Sequence, residues 1–175
     1  WLATLDQEAS DQAWSDYLAG VENPTLIAPD LDTSGTEVVT SELHLDLTTQ
    51  QAGAVFTTAR ECGTTLGTVL QTAWGVALGR ITGNTDVVFG NTVSGRSADL
   101  KDSGRIVGLL FNTLPFCVST SPVETTRELI ERIQSEQLDI LTHQQEPLSA
   151  IQSACGLGTL FDTLFEPSIS GGNGV

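Results

Sequence analysis

The sequence is poor in positive charge. Its 175 residues include only seven Lys and Arg against 22 Asp and Glu, which gives a formal net charge of −15. Nucleic acids and anionic membrane surfaces attract dense cationic faces, so we expect neither kind of partner. The charged fraction of 17% is also low for a free-standing domain. It indicates either an ordinary apolar-leaning domain or a piece that buries surface against another.

Cysteine and long apolar runs are scarce as well. The three cysteines, at positions 62, 117 and 155, form no C-x-x-C pair and no His/Cys pair at metal spacing, which predicts reduced thiols and no metal site. No run of 18 apolar residues is present, and the first residues do not match a signal peptide. We therefore expect a cytoplasmic protein. Because it does not begin with Met, it either starts within a longer polypeptide or has been processed.

Familiar catalytic signatures are missing. The chain has no G-x-S-x-G elbow, no Walker loop and no G-x-G-x-x-G fingerprint, and its acidic residues form no evident acid/base pair. Only two histidines are present. His44 lies on a predicted strand and His143 at the end of a predicted helix, where its charge would favour the helix dipole. We interpret both as structural residues.

The apolar periodicity predicts alternating helices and strands. Strands are expected over 37–47, 86–93, 113–119 and 160–165, and helices over 11–18, 48–62, 65–83, from Ser121 onward and from Pro147 onward. The helix from Thr65 has apolar residues at 66, 69, 70, 73, 74, 77, 78 and 81, which predicts its buried face. Thr48 and Ser121 are each expected to cap a helix. This order of elements favours a layered α/β domain with helices packed on a sheet.

Two segments stand out because small polar residues interrupt apolar runs. Residues 91–96 (NTVSGR) end a predicted buried strand, a place where binding sites often lie. Residues 106–115 (IVGLLFNTLP) contain an Asn-Thr pair whose polar groups need hydrogen-bond partners. A bulge or turn between strands would also explain the second segment.

These segments and three others resemble the later core motifs of nonribosomal peptide synthetase condensation domains. Residues 14–20 (WSDYLAG) resemble the fourth motif, 107–115 (VGLLFNTLP) the fifth, 143–148 (HQQEPL) part of the sixth, and 160–165 (LFDTLF) the seventh. The stretch 65–96 between the first two is also similar. The resemblance covers roughly residues 10–166. The sixth motif departs from the family at Glu146–Leu148, and the chain departs again after Phe165.

The resemblance implies a chloramphenicol acetyltransferase-like lobe, an α/β sandwich with helices on a mixed sheet. In this family two such lobes enclose a tunnel, and two carrier domains deliver thioesters on phosphopantetheine arms. The family's His-His-x-x-x-Asp-Gly motif ends the first lobe and precedes the fourth motif. Residues 1–35 would then link to the first lobe, 36–166 would form the C-terminal lobe, and 167–175 a flexible tail. The fragment would lack the catalytic histidine and be inactive alone.

The resemblance also suggests roles for six residues. Ser94, Gly95 and Arg96 match a strand end that faces the tunnel, with Ser94 near the amine, while Gly108, Asn112 and Thr113 match the fifth motif, whose role is structural. The segment 97–105 resembles the family's floor segment. No catalytic or metal-binding residue is expected in this chain, and no directly bound cofactor.

The expected partners are the first lobe, donor and acceptor carrier domains, and a neighbouring adenylation domain. Three alternatives remain open from the sequence: an ester-forming acyltransferase lobe, an epimerization domain, and a lobe that only binds carriers or partners.

Overall fold

The structure, a computed structural model, describes residues 1–29, 39–96, 100 and 102–166, apart from the side chain of Ala3. The helices are α1 (Gln7–Tyr17), α2 (Thr49–Glu61), α3 (Leu66–Thr82), α4 (Thr126–Ile140) and α5 (Leu148–Cys155), and the strands are β1 (Asp86–Val93), β2 (Asn112–Ser119) and β3 (Leu164–Phe165). Single 3₁₀ turns lie at Leu2–Thr4, Ser103–Arg105 and Leu141–His143. None of the described helices is long and apolar enough to cross a membrane.

The three strands form a mixed sheet in the order β2-β1-β3. β1 and β2 pair antiparallel over their full length, from Asp86 opposite Ser119 to Val93 opposite Asn112. β3 pairs parallel with β1. The expected mixed sheet with packed helices is therefore confirmed. Pro115 lies on β2, an edge strand of this sheet, where the missing amide hydrogen of proline need not cost a hydrogen bond between strands.

Both faces of β1 are buried, as its apolar run predicts. Val87 and Phe89 pack with α3 and α4 residues on one face, and Val88 packs with α1 and α5 residues on the other. All three side chains are 0–1% exposed. Trp14 of α1 is also buried, so the first helix belongs to the same folded unit as the sheet.

Several helix ends match their sequence signals. Thr48 and Gln51 form the capping box that starts α2, and Thr65 caps α3 by accepting from the amide of Thr68. α3 ends at Gly83, whose φ of 78° suits glycine. α5 begins directly after Pro147.

Two predicted elements are wrong, and the strand predicted over 160–165 is reduced to Leu164–Phe165. In the predicted strand 37–47, residues 39–47 have no secondary structure, and Leu43 is 98% exposed; residues 37 and 38 lie outside the described part. An alternating pattern makes a strand only where a partner strand pairs with it, and no described residue pairs with this segment. The helix predicted from Ser121 begins at Thr126 instead, because Thr125 and Glu128 form the capping box.

The predicted buried face of α3 is only partly correct. Ala73 and Ile81 are exposed, whereas Thr72 and Gly75 are buried. A Cβ on Gly75 would lie 2.9 Å from Cγ1 of Val118 and closer to two other carbons of that side chain. The helix therefore packs on β2 along its small-residue side. Thr72 satisfies its hydroxyl by donating to the carbonyl of Thr68 at 2.8 Å.

Candidate functional site

The two polar segments singled out in the sequence meet at one edge of the sheet. Because β1 and β2 are antiparallel, the end of β1 at Val93 lies opposite the start of β2 at Asn112. The residues that follow β1, 94–96, therefore lie beside the residues that precede β2, 106–111. This juxtaposition depends on long-range pairing and not on any local signal.

Gly95 makes the closest approach between these segments. Its φ is 61°, and a Cβ there would overlap the carbonyl oxygen of Leu110 and lie 2.9 Å from the carbonyl carbon. Positive φ and lack of space both require glycine at this position. The backbone at residue 95 is thus packed directly on the backbone at residue 110.

Arg96 holds the loop that connects the two strands. Its guanidinium donates to the carbonyl oxygens of Ser103 and Ile106, the latter at 3.3 Å. The neighbouring Ser94 is exposed, and its hydroxyl accepts a long bond of 3.4 Å from the amide of Arg96. The side chain of Arg96 is therefore committed to backbone carbonyls, whereas that of Ser94 faces solvent.

Asn112 joins this edge to the segment before α5. Its Nδ2 donates to the carbonyl oxygens of Gln144 and Glu146, both at 2.9 Å. The Asn-Thr pair of the fifth motif thus finds part of its hydrogen bonding in the sixth-motif segment. Thr113 is half-buried and pairs with Thr92 across the sheet.

A groove of about 630 Å³ opens at this edge. It is lined by Trp1, Leu2, Gly95, Leu100, Leu109, Leu110, Phe111, Asn112, Gln144, Gln145 and Pro147. Of the six residues suggested by the resemblance, Gly95 and Asn112 line it. Ser94 and Arg96 flank Gly95 in the chain, Thr113 follows Asn112 into β2, and Gly108 is exposed outside the lining.

Sequence reasoning missed Glu146. This carboxylate is only 7% exposed and accepts from Gln7 Nε2 at 2.6 Å and from Ser10 Oγ at 3.2 Å, both on α1. The partial match to the sixth motif showed that the sequence departs from the family pattern at Glu146. It did not indicate that this side chain is buried. A buried carboxylate bonded to a helix more than 130 residues away carries no sequence signal.

Neither histidine lines the groove. His44 is highly exposed, with Nε2 3.3 Å from a carboxylate oxygen of Glu42. His143 is half-buried, and its carbonyl oxygen accepts from Trp14 Nε1 at 3.2 Å. Within the described ranges, no three His, Cys, Asp or Glu side chains cluster in a way that could hold a metal ion.

Two ionisable groups meet between α1 and β2: Tyr17 of α1 is partly buried, and Cys117 of β2 is buried. Burial raises the pKa of the Cys117 thiol to about 11, and burial likewise raises the pKa of the Tyr17 phenol. The phenol oxygen accepts from the amide of Cys117 at 2.9 Å and from Gln137 Nε2 at 2.6 Å. A thiol with a raised pKa is a poor nucleophile at neutral pH, so Cys117 is not a candidate catalytic residue.

Comparison with known proteins shows the family to which this chain belongs. Residues 2–173 match the family model described as the condensation domain. The chain is 35% identical over 162 residues to surfactin synthase subunit 3 of Bacillus subtilis, covering 93% of this chain and 13% of that protein. It is 32% identical over 154 residues to bacitracin synthase 3 of Bacillus licheniformis, covering 87% of this chain and 2% of that protein.

Solved structures of condensation domains share the fold of this chain. The first condensation domain of the CDA synthetase superposes with a TM-score of 0.70 at 20% identity, covering 93% of this chain and 36% of that one. The starter condensation domain of rhizomide synthetase, in a mutant form in complex with C8-CoA and Leu-SNAC, gives a TM-score of 0.66 at 25% identity, covering 91% and 35%. The chain therefore spans about a third of these structures and a small part of the curated relatives.

Proposed function

Because the chain belongs to the condensation domain family, we propose that it forms one lobe of a domain that joins two carrier-bound thioesters by a peptide bond. The observation that carries this proposal is the groove at the end of β1 and the start of β2. Gly95 and Asn112, which lie in two segments that match the family, both line this apolar groove. Its lining suits the methylene-rich, uncharged parts of a thioester-linked chain.

The reaction needs orientation more than strong acid or base chemistry. The acceptor amine attacks the donor thioester carbon, the C–S bond breaks, and the donor thiol leaves with the proton that the amine gives up. Holding two tethered reactants at the right distance and angle removes much of the barrier. We assign the groove to this positioning, and place the exposed Ser94 hydroxyl beside the amine and the histidine of the first lobe.

A second lobe is proposed as the covering partner of the strip that precedes β2. Val107, Leu109 and Phe111 are 101%, 85% and 64% exposed. Three large apolar side chains in five residues are costly to leave in water. Since the chain covers only 36% of a solved condensation domain, a missing lobe is the natural cover. The donor and acceptor carriers, with their phosphopantetheine arms, and an adenylation domain complete the proposed set of partners.

Peptide formation in a reconstituted system tests this proposal. Donor and acceptor carrier domains, each loaded with an aminoacyl thioester, are mixed with this chain alone or with the two-lobed domain that contains it. We expect dipeptidyl thioester from the two-lobed domain and none from the chain alone, because the chain carries one wall of the proposed tunnel and not the other.

The control is the two-lobed domain with the first lobe's His-His-x-x-x-Asp-Gly motif altered. Turnover by the isolated chain, or no turnover by the two-lobed domain with any loaded pair, contradicts the proposal. Transfer to a hydroxyacyl acceptor instead of an aminoacyl one indicates an ester-forming lobe.

A further inference from the structure

We propose that Glu146 is a positioning residue: by bonding to α1, it fixes the wall of the groove formed by residues 144–147. This inference rests on the proposed function. We call residues 144–147 the rear wall. Gln144, Gln145 and Pro147 line the groove, whereas the side chain of Glu146 is directed to α1.

The rear wall is not held in place by packing on both sides. A second cavity of about 340 Å³ lies against it, lined by Gln145, Glu146 and Pro147 together with residues of the first helix and the turn that precedes it. A wall that borders a groove and a cavity has room to move. Packing therefore constrains it less than a core segment, and directional bonds add to the constraint.

Glu146 supplies the bonds on the α1 side. Its Oε2 accepts from Gln7 Nε2 at 2.6 Å and Ser10 Oγ at 3.2 Å, one helical turn apart on α1. Gln7, Ser10 and Glu146 also line the second cavity, so these bonds join the two elements that border it. Hydrogen bonds to a carboxylate are stronger than those between neutral groups, and this carboxylate is almost fully buried.

Three further bonds complete the support. Asn112 Nδ2 holds the carbonyls of Gln144 and Glu146 from the sheet side, and Trp14 Nε1 holds the carbonyl of His143. The rear wall is thus fixed between β2 and α1. Without Glu146, α1 keeps only the Trp14 bond to the carbonyl of His143, which precedes the rear wall, and the wall can relax into the second cavity.

Kinetics of the two-lobed domain test this role. We expect Glu146→Ala to lower kcat for peptide formation roughly tenfold per folded molecule, because a displacement on the order of 1 Å at a positioning wall is enough to misalign the reactants. KM for the loaded carriers should change by less than about twofold, since a carrier domain is far larger than the groove and docks outside it. Glu146→Gln should restore most of kcat, because its amide oxygen accepts the same two bonds.

Gln7 and Gln12 provide a matched pair of controls. Each donates to the Asp four residues later on α1, Gln7 to Asp11 at 3.0 Å and Gln12 to Asp16 at 2.8 Å, but only Gln7 also reaches Glu146. Gln7→Ala should reproduce part of the loss in kcat, and Gln12→Ala should leave kcat unchanged.

The outcomes separate this inference from the proposed function. If the wild-type two-lobed domain forms no peptide, the proposed function fails. If it is active and Glu146→Ala merely lowers the urea midpoint while kcat per folded molecule is unchanged, Glu146 is only structural and the inference is overturned. A rise in KM at constant kcat, or no rescue by Glu146→Gln, also overturns it.

Discussion

Gly95→Ala should destabilise the chain by about 3 kcal/mol, the sum of the strain of a positive φ at a residue with a Cβ and of overpacking. The added methyl group would occupy the space of the Leu110 carbonyl oxygen, which is backbone and cannot rotate away. The two segments at the sheet edge must then separate, which changes the shape of the groove that both of them line. Urea unfolding followed by tryptophan fluorescence measures the loss.

Gly63 is a matched control for this substitution. Its φ of 62° is nearly the same as the 61° at Gly95, but among the described residues no atom beyond its two chain neighbours lies within 4 Å of a Cβ built on it. Gly63→Ala should therefore cost only about 1 kcal/mol, the backbone strain alone. If the two alanine variants lose the same stability, the close approach of Gly95 to Leu110 is not real.

Asn112→Ala should cost about 2–3 kcal/mol, since it removes two hydrogen bonds and leaves two carbonyl acceptors without their donor. The half-buried Asn112 side chain is the link between β2 and the rear wall. Asn112→Asp should lose at least as much at neutral pH, because an ionised carboxylate has no hydrogen to donate and would face two carbonyl oxygens.

Asn91 provides the comparison. It lies on β1 and accepts one side-chain bond, from Gln71 Nε2 at 2.8 Å. Asn91→Ala should cost about 1 kcal/mol, the worth of a single bond. Stability of Asn112→Asp equal to the wild type at pH 7 would show that Asn112 does not act as the donor to Gln144 and Glu146.

Local signals predicted the elements whose ends are set by nearby residues. The capping box of Thr48 and Gln51 and the terminal Gly83 act within one helical turn, so they can be recognised in the sequence. The start of the fourth helix was predicted wrongly because two local signals lie close together there. Ser121 and Thr125 both begin plausible caps, and the reciprocal bonds of Thr125 and Glu128 decide between them only in the folded chain.

Features that depend on distant partners could not be predicted in the same way. The 39–47 segment has the alternation of a strand but no described partner. The face of α3 that carries Gly75 packs on Val118, because a residue without a side chain lets the helix approach the strand closely. The face with the most apolar residues is therefore not the one that is fully buried. The same holds for the residues of the site. Gly95 and Asn112 could be recognised by their match to family motifs, whereas the role of Glu146 depends on its contacts with the distant helix α1.

In the proposed function, the groove at the sheet edge receives the thioester-linked reactants. Cross-linking can locate these reactants: a photoreactive acyl group on the phosphopantetheine arm of a carrier is cross-linked to the two-lobed domain and mapped by mass spectrometry. We expect cross-links at residues 109–112, 144, 145 or 147, which line the groove. Cross-links confined to the outer faces of α2 and α4, with none at these residues, would contradict the account.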